Sequence, residues 1–186
     1  MSKSRAGGSA GREAATPGPT AAARMPTFDR ALPMLLLWAR EAMMQRFRPS
    51  LNERGLTDQQ WRIIRALVAT GPCEIYDLSA RCCLHPASLS RILPKLAASG
   101  IVSRSPNAQD HRRVVVTLTP QGRCLYEEAI ERANEIYAGM ARDIGAERIE
   151  RATAMLEDLI AALGEHAPDG IPRVHGEACA VKRPHA

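Results

Sequence analysis

No stretch of this sequence is long and apolar enough to cross a bilayer. The longest apolar run, Met34 to Leu37 continued by Trp38 and Ala39, falls far short of the ~18–20 residues that a membrane-spanning helix needs. Behind Lys3, Arg5 and Arg12 there is no apolar segment, so the N-terminus does not read as a secretory signal and a cytoplasmic protein with no membrane partner is expected. Cysteine is present but badly arranged for cross-links. Cys73, Cys82, Cys83, Cys124 and Cys179 are odd in number and contain no C-x-x-C pair, and vicinal Cys82 and Cys83 cannot bridge without strain, which argues against a disulfide framework or a zinc site. The histidines show no ligand spacing: His85 follows a leucine and precedes a proline, His111 sits among arginines, and His166, His175 and His185 lie near the end. H-E-x-x-H, G-x-S-x-G and Gly-rich phosphate loops are missing. No metal or cofactor is therefore expected, and the chain does not read as an enzyme.

What is there is ordinary for a globular domain: 186 residues, 45% hydrophobic and 24% charged, which fits neither full disorder nor a collagen-like fibre. Residues 1–26 and 164–186 are rich in small residues and proline without apolar periodicity and are expected to be disordered. One domain is expected between them, over 27–163. Its charge is unevenly spread. Residues 79–119 carry six Lys and Arg against one Asp, and residues 120–163 carry five Arg against nine acids. A compact basic segment of this kind is the electrostatic footprint of a nucleic-acid binder, although a solvated basic face would look the same on charge alone.

Apolar periodicity gives the order of elements. Leu32, Leu35, Leu36, Ala39, Met43 and Phe47 recur at helical spacing in a first helix that Pro49 and Gly55 are expected to end. Thr57 with Gln60 is a capping-box pattern opening a second helix, whose stripe is Trp61, Ile64, Leu67 and Val68 and whose stop is Gly71-Pro72. A short helix from Glu74 to about Cys82 follows. Pro86 then opens another, with Leu89, Ile92, Leu93 and Leu96 on its inner face. After Gly100 the period changes to two: Ile101–Arg104 and Arg113–Leu118 read as strands joined by a polar loop, a β-hairpin. Thr119-Pro120 caps a long helix to about Ile144, Gly145 breaks it, and a last helix over 146–163 is expected to bury Ile149, Leu156, Leu159, Ile160 and Leu163.

Two short helices joined by a tight turn and followed at once by a hairpin make a winged helix-turn-helix. The fold class is mainly α with a small β-hairpin wing. A major groove admits one helix, held at its tilt by the helix before it. In the segment from Ala87 to Lys95, Ser88, Ser90, Arg91 and Lys95 face away from the apolar side, where hydroxyls and long cations reach base edges and phosphates. Pro94 removes one backbone hydrogen bond within this helix and is expected to kink it. Arg104, Arg112 and Arg113 add charge along the hairpin, and arginine suits a narrow minor groove. Asp110 is expected to accept hydrogen bonds from the Arg112 guanidinium and orient it.

Asp110-x-Arg112-x-x-x-Val116-x-Leu118-Thr119-x-x-Gly122 resembles the wing signature of the MarR family of bacterial regulators. Leu96-x-x-x-Gly100-Ile101-Val102 stands at the expected distance upstream, and Leu56-Thr57-x-x-Gln60-Trp61 is similar to the family's second-helix start. The resemblance covers about residues 28–163. Ala39-Arg40-Glu41, Phe47-Arg48-Pro49 and Gln59 to Arg62 resemble the subgroup that represses aromatic-acid catabolic operons, those for homoprotocatechuate and nicotinate among them. The resemblance implies a homodimer on a palindromic double-stranded operator, with dimerisation helices at about 28–54 and 120–163 and a DNA-binding lobe at about 57–119. The apolar faces of the first and last helices point the same way, since one winged domain cannot cover them. It further implies a repressor released by a small aromatic carboxylate, in a position lined by Trp38, Arg40, Asp58, Trp61 and Arg62. An arginine beside tryptophans suits a flat anion, although core packing and salt bridges would use the same residues. The alternative is a thiol-based redox regulator on this fold. The family's peroxide-sensing branch uses a cysteine in the first helix, and there is none between residues 28 and 72; Cys82, at core spacing, reads as a small buried hydrophobe.

Overall fold

The computed structural model describes residues 25–166, so the segments expected to be disordered fall almost wholly outside the described residues. A 3-10 turn, Phe28–Arg30, precedes α1 (Leu32–Glu53), α2 (Asp58–Thr70), β1 (Cys73–Glu74), α3 (Ile75–Arg81), α4 (Pro86–Ala98), β2 (Val102–Pro106), β3 (Val114–Leu118), α5 (Pro120–Ile144) and α6 (Ala146–His166). The chain divides into two compact units, one ending at Ala42 and one beginning at Met43, so that the division falls within α1. Among the described residues no helix is long and apolar enough to cross a membrane.

In the first unit Phe28 and Trp38 meet edge to face with ring centroids 6.1 Å apart. Leu32, Leu35, Leu36, Leu37 and Trp38 are all exposed, so the apolar stripe of α1 lies bare here. In the second unit the core is continuous. Leu56, Ile63, Ile64, Leu67, Leu78, Leu89, Leu93, Leu96 and Val116 are almost completely buried; Leu56 stands just ahead of α2 and the others come from α2, α3, α4 and β3. Ile63, which lies outside the expected stripe of α2, is buried as fully as Ile64.

The local signals worked where side chains could satisfy orphan backbone groups. Thr57 Oγ1 accepts from the Gln60 N–H at 3.3 Å, and Gln60 Oε1 accepts from the Thr57 N–H at 2.8 Å, which is the reciprocal capping box. Pro49 does not end α1. The helix continues to Glu53 because Ser50 and Leu51 are buried past the proline and Arg54 donates to the Ser50 carbonyl at 2.9 Å. Pro94 likewise lies inside an uninterrupted α4, on its exposed side. Helix α5 does stop at Gly145, whose φ of +91° suits a residue without a Cβ.

The sheet has three strands rather than the two expected, in the order β1-β3-β2, all antiparallel. Cys73 pairs with Val116 and Glu74 with Val115. A two-residue strand carries no readable period, so its existence depends on the edge that β3 offers. The ladder between β2 and β3 runs from Val102↔Leu118 to Pro106↔Val114, two residues beyond the expected end at Arg104, because the partner strand continues to offer backbone groups. Helix α6 does not bury the apolar face expected of it. Ile149 and Leu159 are only half-buried, and Leu156, Ile160 and Leu163 are exposed. The amphipathic stripe packs on the core of residues 43–166 at Ile149, and farther along the helix Leu156, Ile160 and Leu163 stay bare.

Candidate nucleic-acid interface

The turn between α3 and α4 is built by a residue that carried no sequence signal. Ser79, buried near the end of α3, donates its hydroxyl to the Leu84 carbonyl at 2.6 Å, while its own carbonyl accepts the Leu84 N–H at 3.0 Å. Arg62 of α2 donates to the Cys82 carbonyl at 2.7 Å, which satisfies the C-terminal end of α3. Cys83 passes through this turn at φ +46°. His85 then caps α4, its Nδ1 accepting from the Ala87 N–H at 3.3 Å. Two helices joined so tightly move as one piece, and this is what a groove-inserted helix requires.

Helix α4 buries Leu89, Leu93 and Leu96 and leaves Ser90, Arg91 and Lys95 exposed, with Ser88 half-buried. Ser90, Arg91 and Lys95 lie where the helical spacing put them, and Ser88 is turned partly inward. The hairpin follows directly. Of its exposed arginines, Arg112 and Arg113 stand just before β3, and Arg104 lies on β2.

Inside the hairpin the Asp110–Arg112 relation differs from expectation. Asp110 Oδ1 accepts from the backbone N–H of Arg112 at 3.0 Å. Its carboxylate pairs instead with the Arg113 guanidinium, Oδ2 to Nε at 3.4 Å. The reason is geometric: a side chain two residues back reaches the backbone N–H in an Asx-type turn. Asp110 therefore shapes the loop, and Arg113 is the arginine it holds. Arg113 also donates to Glu74 Oε2 at 3.2 Å, and the other oxygen of Glu74 accepts from Asn107 Nδ2 at 2.7 Å. Asn107 in turn accepts the Gln109 N–H at 2.8 Å. Glu74, on the unexpected strand β1, thus ties the hairpin loop to the start of α3. Among the described residues the Arg112 guanidinium has no partner, which leaves it available to an outside acceptor.

The rest of the signature has a physical reading. Val116 is fully buried in the centre of β3. Thr119 caps α5: its Oγ1 accepts the Gly122 N–H at 3.0 Å and donates to the Gly100 carbonyl at 2.6 Å. Gly122 packs so closely that a Cβ there would stand 2.2 Å from the Ile101 carbonyl oxygen.

The residues expected around an aromatic acid are divided between the two units. In the first, Trp38 meets Phe28 and Arg40 Nη1 reaches Glu41 Oε1 at 2.9 Å. In the second, Asp58 is held by the Arg48 guanidinium through its Nη2 at 2.9 Å and its Nε at 3.1 Å. Trp61 is buried and stacks on Tyr126 with centroids 5.6 Å apart, and Arg62 is engaged with Cys82 as described. Asp58, Trp61 and Arg62 thus each have a structural contact in this unit.

Burial pushes the Cys82 thiol up to about 11, against the opposing pull of Arg62, and burial raises Cys73 as well. The thiolate is the reactive form, so burial works against reaction at both sulfurs. With a thiol reagent at pH 7, Cys83, which is exposed, is expected to react in the native protein. Cys73 and Cys82 should react only after denaturant is added. Mass spectrometry of peptides from both samples checks this, and early modification of Cys82 would contradict its burial.

The comparisons with known proteins agree with this geometry. The MarR family profile matches residues 56–114, which run from the residue before the α2 cap to the first residue of β3. The HTH-type transcriptional regulator FarR of Neisseria gonorrhoeae is 42% identical over 130 residues, 70% of this chain and 86% of FarR. The homoprotocatechuate degradative operon repressor of Escherichia coli is 37% identical over 142 residues, 76% of this chain and 95% of that protein. The crystal structure of NadR in complex with 4-hydroxyphenylacetate matches with a TM-score of 0.63 and 39% identity, over 77% of this chain and all of that one (100%). With a tightly locked helix-turn-helix, a basic wing and this likeness across almost the whole length of its relatives, the chain belongs to the MarR family of winged helix-turn-helix transcriptional regulators.

Proposed function

We propose that this protein is a homodimeric repressor of genes for the breakdown of an aromatic acid, released from a palindromic operator by a small aromatic carboxylate. The observation that carries the reading is the likeness over the full length of NadR, a protein crystallised with 4-hydroxyphenylacetate. The name of the homoprotocatechuate operon repressor points to the same class of compound. Domain 27–163 would act as two parts, the lobe at about 57–119 on DNA and the helices at about 28–54 and 120–163 on a second copy. The bare stripes of α1 and α6 support that pairing, since Leu35 and Leu36 on the one and Met155, Leu156 and Leu163 on the other are exposed in the single chain, and an apolar stripe left bare marks an interface. On DNA, Ser88, Ser90 and Arg91 would meet base edges, Lys95 and Arg104 phosphates, and Arg112 the minor groove, with Asp110 and Arg113 shaping the wing.

Among the residues put forward for the effector, Arg40 is the anchor to test. Its pair with Glu41 joins side chains 39% and 40% exposed, and such a pair is worth only ~0–1 kcal/mol. A ligand carboxylate would meet the guanidinium through two hydrogen bonds. Trp38, in the same unit as Arg40, would supply the ring surface. Release then follows from differential affinity: an acid that binds the DNA-incompetent form more tightly shifts the population by that difference alone.

The test is operator binding titrated with 4-hydroxyphenylacetate and related ring acids. The wild-type protein should leave the operator, while Arg40→Ala should bind DNA nearly as well and stay bound in the presence of acid. Release of both proteins alike would remove Arg40 from the role. Release by peroxide and by no ring acid would overturn the reading in favour of a thiol sensor.

A further inference from the structure

An open cleft of about 580 Å³ separates the start of α3 and α4 from the wing, and Glu74, Tyr76, Asp77, Pro86, Arg112 and Arg113 are among the residues that line it. Its walls are fixed. The β1–β3 ladder and the contacts of Glu74 to Asn107 and Arg113 join one side to the other. Within it Tyr76 is unlike every other aromatic residue of the chain. Phe28 meets Trp38, Phe47 meets Tyr137, and Trp61 meets Tyr126. Tyr76 has no ring contact, stands 73% exposed, and its hydroxyl has no hydrogen-bond partner among the described residues.

The placement of this cleft follows from the placement of its neighbours. With one helix in a major groove and the wing in the adjacent minor groove, the sugar–phosphate strand that divides the two grooves has to pass between helix and wing. We propose that the cleft seats that strand, with the Tyr76 hydroxyl donating a hydrogen bond to a phosphate oxygen while Arg112 passes beside the strand into the minor groove. This rests on the reading of α4 and the wing given above. The lining carries two acids, Glu74 and Asp77, against two arginines, and Glu74 and Arg113 already pair. The cleft is therefore not a plain cationic trough. It needs a directed neutral donor, and an uncharged phenol beside Asp77 meets that need without desolvating another charge. Contacts to the backbone fix register and carry no sequence information of their own.

The experiment uses the full chain and an operator selected by it from random duplex DNA. Tyr76→Phe removes only the donor from an exposed ring, and thermal unfolding should be unchanged. Its affinity should fall about tenfold, as expected for one hydrogen bond to a charged acceptor, and by the same factor on operator and on random duplex. One methylphosphonate position in the operator should weaken the wild-type protein equally and leave Tyr76→Phe with no further loss. Arg112→Ala should reduce the salt slope by about one unit. Arg91→Ala run in parallel separates the two levels. If Arg91→Ala loses affinity while Tyr76→Phe equals wild type at every salt concentration, the strand does not lie in this cleft. If Arg91→Ala itself equals wild type, the assignment of α4 beneath the proposal is what fails, and the proposal falls with it. If Tyr76→Phe keeps its DNA affinity and instead changes the amount of 4-hydroxyphenylacetate needed for release, the cleft holds the effector and the proposal is overturned.

Discussion

Replacing Arg91 with alanine is expected to weaken operator binding by ~1–3 kcal/mol and to flatten the preference for operator over random duplex. The residue stands on the exposed face of α4, one turn past the exposed Ala87 and opposite the buried Leu89, Leu93 and Leu96. A guanidinium there can meet a guanine edge with two hydrogen bonds, and losing a bidentate contact affects the right base far more than the wrong one. Lys95 lies one further turn along, beside Pro94, near the helix end. Residues near the N-terminus of a recognition helix reach the base edges, so Lys95 is placed for phosphate. Lys95→Ala should weaken every duplex alike and lower the salt slope by about one unit. Anisotropy titrations on both duplexes across a range of salt distinguish the two patterns. Unchanged binding in both variants would remove α4 from the groove.

Gly122→Ala is expected to destabilise the fold by ~1–3 kcal/mol, the usual range for a methyl forced into a packed site. The new Cβ would lie 2.2 Å from the Ile101 carbonyl oxygen and 2.8 Å from Leu118 Cδ1. The Leu118 methyl can turn aside, but the Ile101 carbonyl cannot move alone, because it also accepts the Thr119 N–H at 3.1 Å. The first turn of α5 would have to back away from the base of the hairpin and take the Thr119 cap with it. Urea unfolding at fixed protein concentration measures the effect as a lower midpoint at constant slope. A midpoint equal to wild type would mean that α5 is not clamped to the hairpin in this way. Operator affinity should fall as well, since the same base aims Arg112.

Much of the fold was legible because the signals were local. The capping box at Thr57, the proline opening α4, the change from helical to strand period after Gly100 and the Thr119-Pro120 cap each concern residues a few positions apart, and the structure has all of them. The exposed row Ser90, Arg91 and Lys95 was legible for the same reason, since one helix period fixes which residues oppose Leu89, Leu93 and Leu96. The wing signature was visible as a pattern, but its causes were not. That Gly122 is required by the Ile101 carbonyl, or that Asp110 holds Arg113 and shapes the backbone at Arg112, depends on atoms brought together by folding.

Sequence alone therefore determined the order of the helices, the caps at Thr57 and Thr119, the hairpin and the outward face of α4, since each follows from spacing along one element. Tertiary structure decided what depends on a partner distant in the chain. Strand β1 exists because β3 offers an edge, and Glu74 reaches across it to Asn107 and Arg113. Ser79 locks the turn only because Leu84 comes back to it, and Arg62 is drawn to the Cys82 carbonyl from another helix. The stripe of α6 could be read from its period, but whether it is covered could not: amphipathicity specifies that a face will be buried, and only packing specifies against what.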